Sequence, residues 1–153
     1  MAFPSDIGTK ADDLARVWMW ARGRSGAVKK AAESLRALAA AGTVSASNIL
    51  GFATFLADAR FDLVKYAGIP GIEVYAQQQT NDPTLDLDNE FSTMIAAMDG
   101  CRDWIVANFP KEGSGYLLAQ TILANGRQQD RVFSSAQTTG LQSALTVLVA
   151  AID

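Results

Sequence analysis

The sequence predicts a mainly α-helical fold, a bundle of about four to five helices with one C-terminal β-hairpin before the last helix. Three observations point there. Apolar residues recur at steps of three, four and seven along most of the chain, the spacing of a buried helical stripe. Cap residues and breakers punctuate those stripes, and the period changes only around Asn125-Gly126. With 153 residues, 49% of them apolar and 19% charged, the chain suits one domain, residues 1–153. That length buries roughly 70% of the surface its unfolded form exposes.

Residues 10–41 form the N-terminal helical segment, read as two helices because Gly23-Arg24-Ser25-Gly26 interrupts the pattern. Leu14, Val17, Trp18 and Ala21 make its first stripe, and Gly42 is placed to take a left-handed conformation just past its end. The central helices occupy 44–109. Ser45 caps the first of them, with Val44 set to pack on Ile49. Its apolar face is Ile49, Phe52, Ala53, Leu56, Leu63, Val64 and Ala67, and it stops at Gly68-Ile69-Pro70, with Gly68 left-handed. A short helix over 71–80 carries Val74 and Tyr75, and Asn81-Asp82-Pro83 breaks it. The next long helix spans about 85–108. Its core face is Leu87, Phe91, Met94, Ile95, Met98, Ile105 and Phe109, with Cys101 or Arg102 filling the gap, and Pro110 ends it.

The third part, 115–153, holds the hairpin and the closing helix. Residues 116–122 and 128–133 flank Asn125-Gly126, a dipeptide whose positive φ angles suit a type I′ turn. Ser134 with Gln137 three residues on is a capping-box start, and Leu141, Leu145, Leu148 and Ile152 line one face of the helix that follows. The starts at 44–56 and 133–145 echo one another, which a shared way of beginning helices explains more simply than duplication.

Composition removes whole classes of chemistry. There is no His and a single Cys, so an intrachain disulfide, a zinc site of the usual ligands and a Ser-His-Asp or Cys-His device are excluded. Cys101 sits in a helical stripe and is expected to be packed rather than reactive. The acidic stretch 82–90 fails as a calcium loop: counted from Asp86, position six is Phe91 and position twelve is Ala97, where a Gly and a Glu are needed. It reads as a solvated helix start favoured by the macrodipole. Gly23-Arg24-Ser25-Gly26 and Gly113-Ser114-Gly115 lack the Lys-Ser/Thr of a phosphate loop. No catalytic, cofactor-binding or metal-binding residue is therefore expected, nor an enzyme.

The net charge of −3 is unevenly spread. Residues 10–36 carry seven basic side chains against three acidic ones, a local +4 that leaves −7 on the rest. A basic end and an acidic middle can pair within one chain or between copies. Trp20 lies about 200° round the helix from Trp18 at 100° per residue, off the apolar stripe, where an exposed indole calls for a cover. The candidate subunit interface is Trp20, Arg22, Arg24, Lys29 and Lys30 on the basic side and Asp86, Asp88 and Glu90 on the acidic side. Specific nucleic-acid binding is disfavoured by the acidic total, and no apolar run spans a membrane. The first residues lack the basic-then-apolar order of a signal peptide, so folding in a cytoplasm is expected.

Arg102-Asp103-Trp104-Ile105-Val106-Ala107-Asn108-Phe109-Pro110-Lys111, followed by Gly113-Ser114-Gly115-Tyr116-Leu117-Leu118, resembles a segment of small virion-associated proteins of tailed bacteriophages. In those proteins a strand ending in Phe-Ser/Thr leads to a closing helix, as Val132-Phe133-Ser134 does here. The resemblance covers about 85–153 well and 44–80 loosely, and leaves the first 40 residues uncovered. It implies a non-enzymatic structural component of the phage particle, of the head-to-tail connector or neck adaptor type. Such a subunit would assemble into a homo-oligomeric ring, touch portal or tail components, and reside in the virion after assembly in the host cytoplasm. The alternative is a non-virion phage assembly chaperone or a small host-interacting regulator.

Overall fold

The computed structural model describes residues 11–109 and 133–152. These form five helices: α1 (Ala11–Ala40), α2 (Ala46–Ala67), α3 (Ile72–Thr80), α4 (Leu87–Asn108) and α5 (Ser135–Ala151). The described residues contain no strand. The hairpin expected over 116–133 lies outside them except for Phe133.

Four helices make the bundle. α1 packs against α2 and α5, and α4 packs against the same two, so α1 and α4 occupy diagonal corners. Successive long helices are antiparallel. Arg24 meets Asp62 across α1 and α2, Cys101 meets Ala144 across α4 and α5, and Arg36 near the end of α1 meets Thr146. α1 and α4, each antiparallel to α5, therefore run the same way. At 1.5 Å per residue α1 is about 45 Å long and α5 about 26 Å. The overhanging start of α1 covers α3, where Leu14 lies 3.6 Å from the place a Cβ on Gly71 would take.

α1 is one continuous helix and not two. Glycine weakens a helix interior by about 1 kcal/mol, yet packing on both sides of the interruption outweighs that. Val17, Ala21, Val28 and Ala32 are buried in one line, Ser25 Oγ donates to the Ala21 carbonyl, and Arg24 is fastened to α2. The helix ends as expected at Gly42, whose φ is +72°. The Thr43 N–H reaches Leu38 O and the Gly42 N–H reaches Ala39 O, the two bonds of a Schellman close.

α2 starts on Ser45, whose side chain accepts from the Asn48 N–H while Asn48 accepts back from the Ser45 N–H. Val44 is half-buried against the core before it. Its buried stripe runs through Ala59, Asp62, Leu63 and Tyr66, leaving Val64 exposed and Ala67 half-buried. Gly68 is right-handed, with φ −84°, rather than left-handed. The chain reverses three residues later, where Pro70 and left-handed Gly71 (φ +84°, ψ −4°) hold the centre of a type II turn closed by Ile72 N–H to Ile69 O. Proline's preset φ and glycine's freedom at positive φ decide where the turn falls.

α3 buries Ile72 and Ala76, while Val74 is exposed and Tyr75 half-buried. It closes on Asn81 in the left-handed region, φ 55°. α3 also completes the start of α4: Glu73 Oε2 accepts from the Leu87 N–H at 3.0 Å and Gln77 donates to Leu85 O at 2.9 Å. With Asp86 as N-cap, α4 begins at Leu87, two residues later than its sequence pattern indicates. Its core face takes Ala97 and Cys101 and leaves Ile95 half-buried. α5 follows the sequence closely: Ser134 and Gln137 form the capping box, and Leu141, Leu145, Leu148 and Ile152 are all buried.

Candidate subunit interface

The sequence-proposed interface residues part into two groups once α1 is laid in the bundle. Trp20 and Arg24 turn towards α2. The Trp20 ring is half-buried, 6.4 Å from the Tyr66 ring, so the chain itself supplies part of the cover that an indole off the apolar stripe calls for. Arg24 donates from Nε and Nη2 to Asp62 Oδ2 and lies 5.8 Å from the Phe55 ring. Asp62 is the one buried charged side chain among the described residues. Burial first, then the Asp62 carboxylate, pushes the Tyr66 hydroxyl above its ordinary pKa, while Arg24 pulls the other way.

Arg22, Lys29 and Lys30 point elsewhere. Arg22 and Lys30 are exposed, with Arg22 5.5 Å over the Trp18 ring, and Lys29 is half-buried. Arg22 and Lys29 line a groove of about 780 Å³ whose other walls include Leu87, Glu90, Phe91 and Met94 from α4 and Ala150 to Ile152 from α5. It opens where α5 ends and the corner between α1 and α4 is no longer filled. Arg22 and Lys29 therefore share one groove with Glu90 at one end of the bundle. Asp86 and Asp88 are exposed on the same first turn of α4, with Asp86 accepting from the Asn89 N–H at 3.0 Å. Asp82 accepts from both the hydroxyl and the N–H of Thr84, and those bonds hold its carboxyl below the usual range. Local capping thus accounts for Asp82 and Asp86.

The opposite end of the bundle joins α4 to α5. Trp104 Nε1 donates to Gln137 O at 3.1 Å, Gln137 Nε2 donates to Asn108 Oδ1 at 2.8 Å, and Asn108 Nδ2 donates to Trp104 O at 2.7 Å. Phe133 packs on Trp104 and Phe109 with ring centres 6.0 and 5.8 Å away. A Cβ on Gly140 would sit 3.1 Å from Trp104 Nε1, so that glycine permits the close approach. Trp104, Asn108 and Phe109 are committed here to packing. Beside this junction a second hollow, about 540 Å³, lies between residues 39–44 and the start of α5.

Sequence reasoning missed the cross-links Arg24–Asp62 and Arg60–Asp99. In the second, the Arg60 fork donates to both carboxylate oxygens at 2.8 and 3.3 Å. A signal for the first was present, since Asp62 interrupts the stripe Ala59, Leu63, Tyr66 and a buried carboxylate requires a cation. Cys101 is fully buried, with its Sγ 3.5 Å from Ala144 O, and burial pushes its thiol up to about 12. Among the described residues no group of three or more acidic or Cys side chains could hold a metal ion, and no helix is long and apolar enough to cross a membrane. The chain matches no protein-family model, no curated protein and no solved structure.

Proposed function

We propose that this chain is a non-enzymatic structural component of a tailed-phage particle, a head-to-tail connector or neck subunit that works as an oligomer alongside portal or tail proteins. The observation that carries the reading is the segment Trp104 to Lys111, which resembles phage virion-associated proteins. Its described residues support a structural use, because Trp104, Asn108 and Phe109 serve to weld α4 to α5. The mechanism is surface complementarity, with the basic segment of one copy facing the acidic segment of the next.

Mass spectrometry of purified particles tests it. The expected result is this chain in mature virions at a fixed multiple of the portal protein. Its presence in infected cells but absence from particles overturns the reading and favours an assembly chaperone or host-directed regulator.

A further inference from the structure

The outer face of α2 is apolar where the bundle leaves it uncovered. Phe61 is 61% exposed and Val64 47%, in line with half-buried Ala57 and Thr54. These four positions fall at steps of three and four, the spacing of a seam between two packed helices. Thr54 satisfies its hydroxyl within its own helix, on the Leu50 carbonyl at 3.1 Å. Arg60 and Asp62, on either side of Phe61, are fastened to Asp99 on α4 and Arg24 on α1, so Phe61 points away from both neighbouring helices.

Charge on this face is arranged about Phe61. Asp58 and Lys65 are both exposed, three residues before it and four after it. At 100° per residue they stand about 60° and 40° round the helix from Phe61 on the side of α1, while Val64 and Ala57 stand about 60° and 40° round on the side of α4. Neither Asp58 nor Lys65 makes an ion pair among the described residues. Lys65 Nζ lies 5.3 Å from the centre of the Phe61 ring.

We propose that two copies of this chain pair through α2, antiparallel across a two-fold axis beside Phe61. Rotation about that axis reverses the second helix and keeps like edges together. Asp58 of one copy therefore comes level with Lys65 of the other, and the same pair forms again on the far side of the axis. Like charges stay at least about 10 Å apart, seven residues at 1.5 Å each. Phe61 packs on its own counterpart at the axis, and Ala57 meets Val64 along the other edge. The contact is isologous, one surface serving both copies. A single helix face per copy falls below the roughly 1,600 Å² of a standard stable complex, so the dimer is weak and reversible. It lies apart from the basic segment of α1 and the acidic start of α4, and it does not depend on a place in the phage particle.

Sedimentation equilibrium of the full chain, up to millimolar concentration, tests the proposal. The expected result is a reversible equilibrium between the 16.3 kDa chain and its dimer. Phe61→Glu should abolish pairing, while Asp58→Lys and Lys65→Glu should each weaken it about ten-fold with circular dichroism unchanged. Mixing the two charge variants should restore it, as should both changes on one chain, because either arrangement sets opposite charges level again. A wild-type chain that stays monomeric throughout overturns the proposal and leaves the face to a different protein. Assembly that neither reversal weakens, or that the double change fails to restore, overturns it as well. The presence of the chain in virions bears on none of these outcomes.

Discussion

Two nitrogens of Arg24, Nε and Nη2, converge on one oxygen of Asp62 at 3.0 and 2.6 Å across the seam between α1 and α2. The pair spans 38 residues of sequence. It explains how a helix with two glycines around its midpoint stays unbroken. The section that the sequence marks as a break is tied to a neighbour by this pair.

Removing one partner should be far worse than removing both. Arg24→Leu leaves a buried carboxylate without its cation, which costs about 3 kcal/mol. At about 2–4 °C per kcal/mol for a chain of this size, that lowers Tm by roughly 10 °C. The double change Arg24→Leu with Asp62→Leu should recover most of the loss, since a well-packed apolar pair often equals a buried ion pair. Thermal unfolding of the three proteins checks the order. Equal losses in the single and double variants would show that the pair is not what joins the helices.

Glycine substitutions should divide by what the new methyl meets. Gly140→Ala drives a Cβ to 3.1 Å from Trp104 Nε1, a ring already held by its bond to Gln137 O. The overpacking exceeds the gain in helix propensity, for a net loss of about 1 kcal/mol. Gly23→Ala meets nothing in the chain and should stabilise the monomer by about 1 kcal/mol. Denaturant unfolding at concentrations where the protein is monomeric measures both. A stabilised Gly140→Ala would mean that the indole moves aside freely.

These glycines also show where sequence reading reached its limit. Local signals carried the caps: Ser45, Gly42, Ser134 and Gln137 act through neighbours a few residues away, and each is found in its expected role. The stripe of α5 was legible for the same reason. What could not be read was tertiary. Gly23 and Gly26 resemble a break until α2 and α5 are placed against α1, and Gly68 resembles a left-handed stop until Pro70-Gly71 takes the turn instead. Of the candidate interface, Trp20 and Arg24 are indistinguishable from Arg22 and Lys30 as sequence. Only the position of α2 separates the internal pair from the external one.

The two capping boxes should not be equal in weight. Asn48 closes α2 locally through Ser45. Gln137 does the same for α5 and also donates to Asn108 Oδ1, beside its own carbonyl's bond from Trp104. Asn48→Ala should cost about 1 kcal/mol, as the loss of its side-chain bond from the Ser45 N–H does, the Ser45 cap itself remaining. Gln137→Ala should cost about 1 kcal/mol more, because the Asn108 bond that spans two helices goes with it. Chemical unfolding of both variants gives the comparison, and equal losses would make the bond to Asn108 energetically silent.

Alkaline pH offers a test that needs no substitution. The Cys101 thiol is raised from 9.0 to about 12 in the folded chain, and desolvation is the cause. A raised folded pKa means that the unfolded chain ionises first. The stability from keeping the thiol neutral is therefore whole below about pH 9 and is lost as pH climbs towards about 12. The loss is about 1.4 kcal/mol per pH unit within that window. Tyr66, also raised by burial, acts with the same sign above the ordinary tyrosine range. Cys101→Ala should flatten the first part of this decline, between pH 9 and 10, while leaving the Tyr66 part. The native thiol should also react with a maleimide only as fast as the chain opens. A wild-type protein labelled at pH 8 as quickly as an unfolded control would show that Cys101 is not closed within the core.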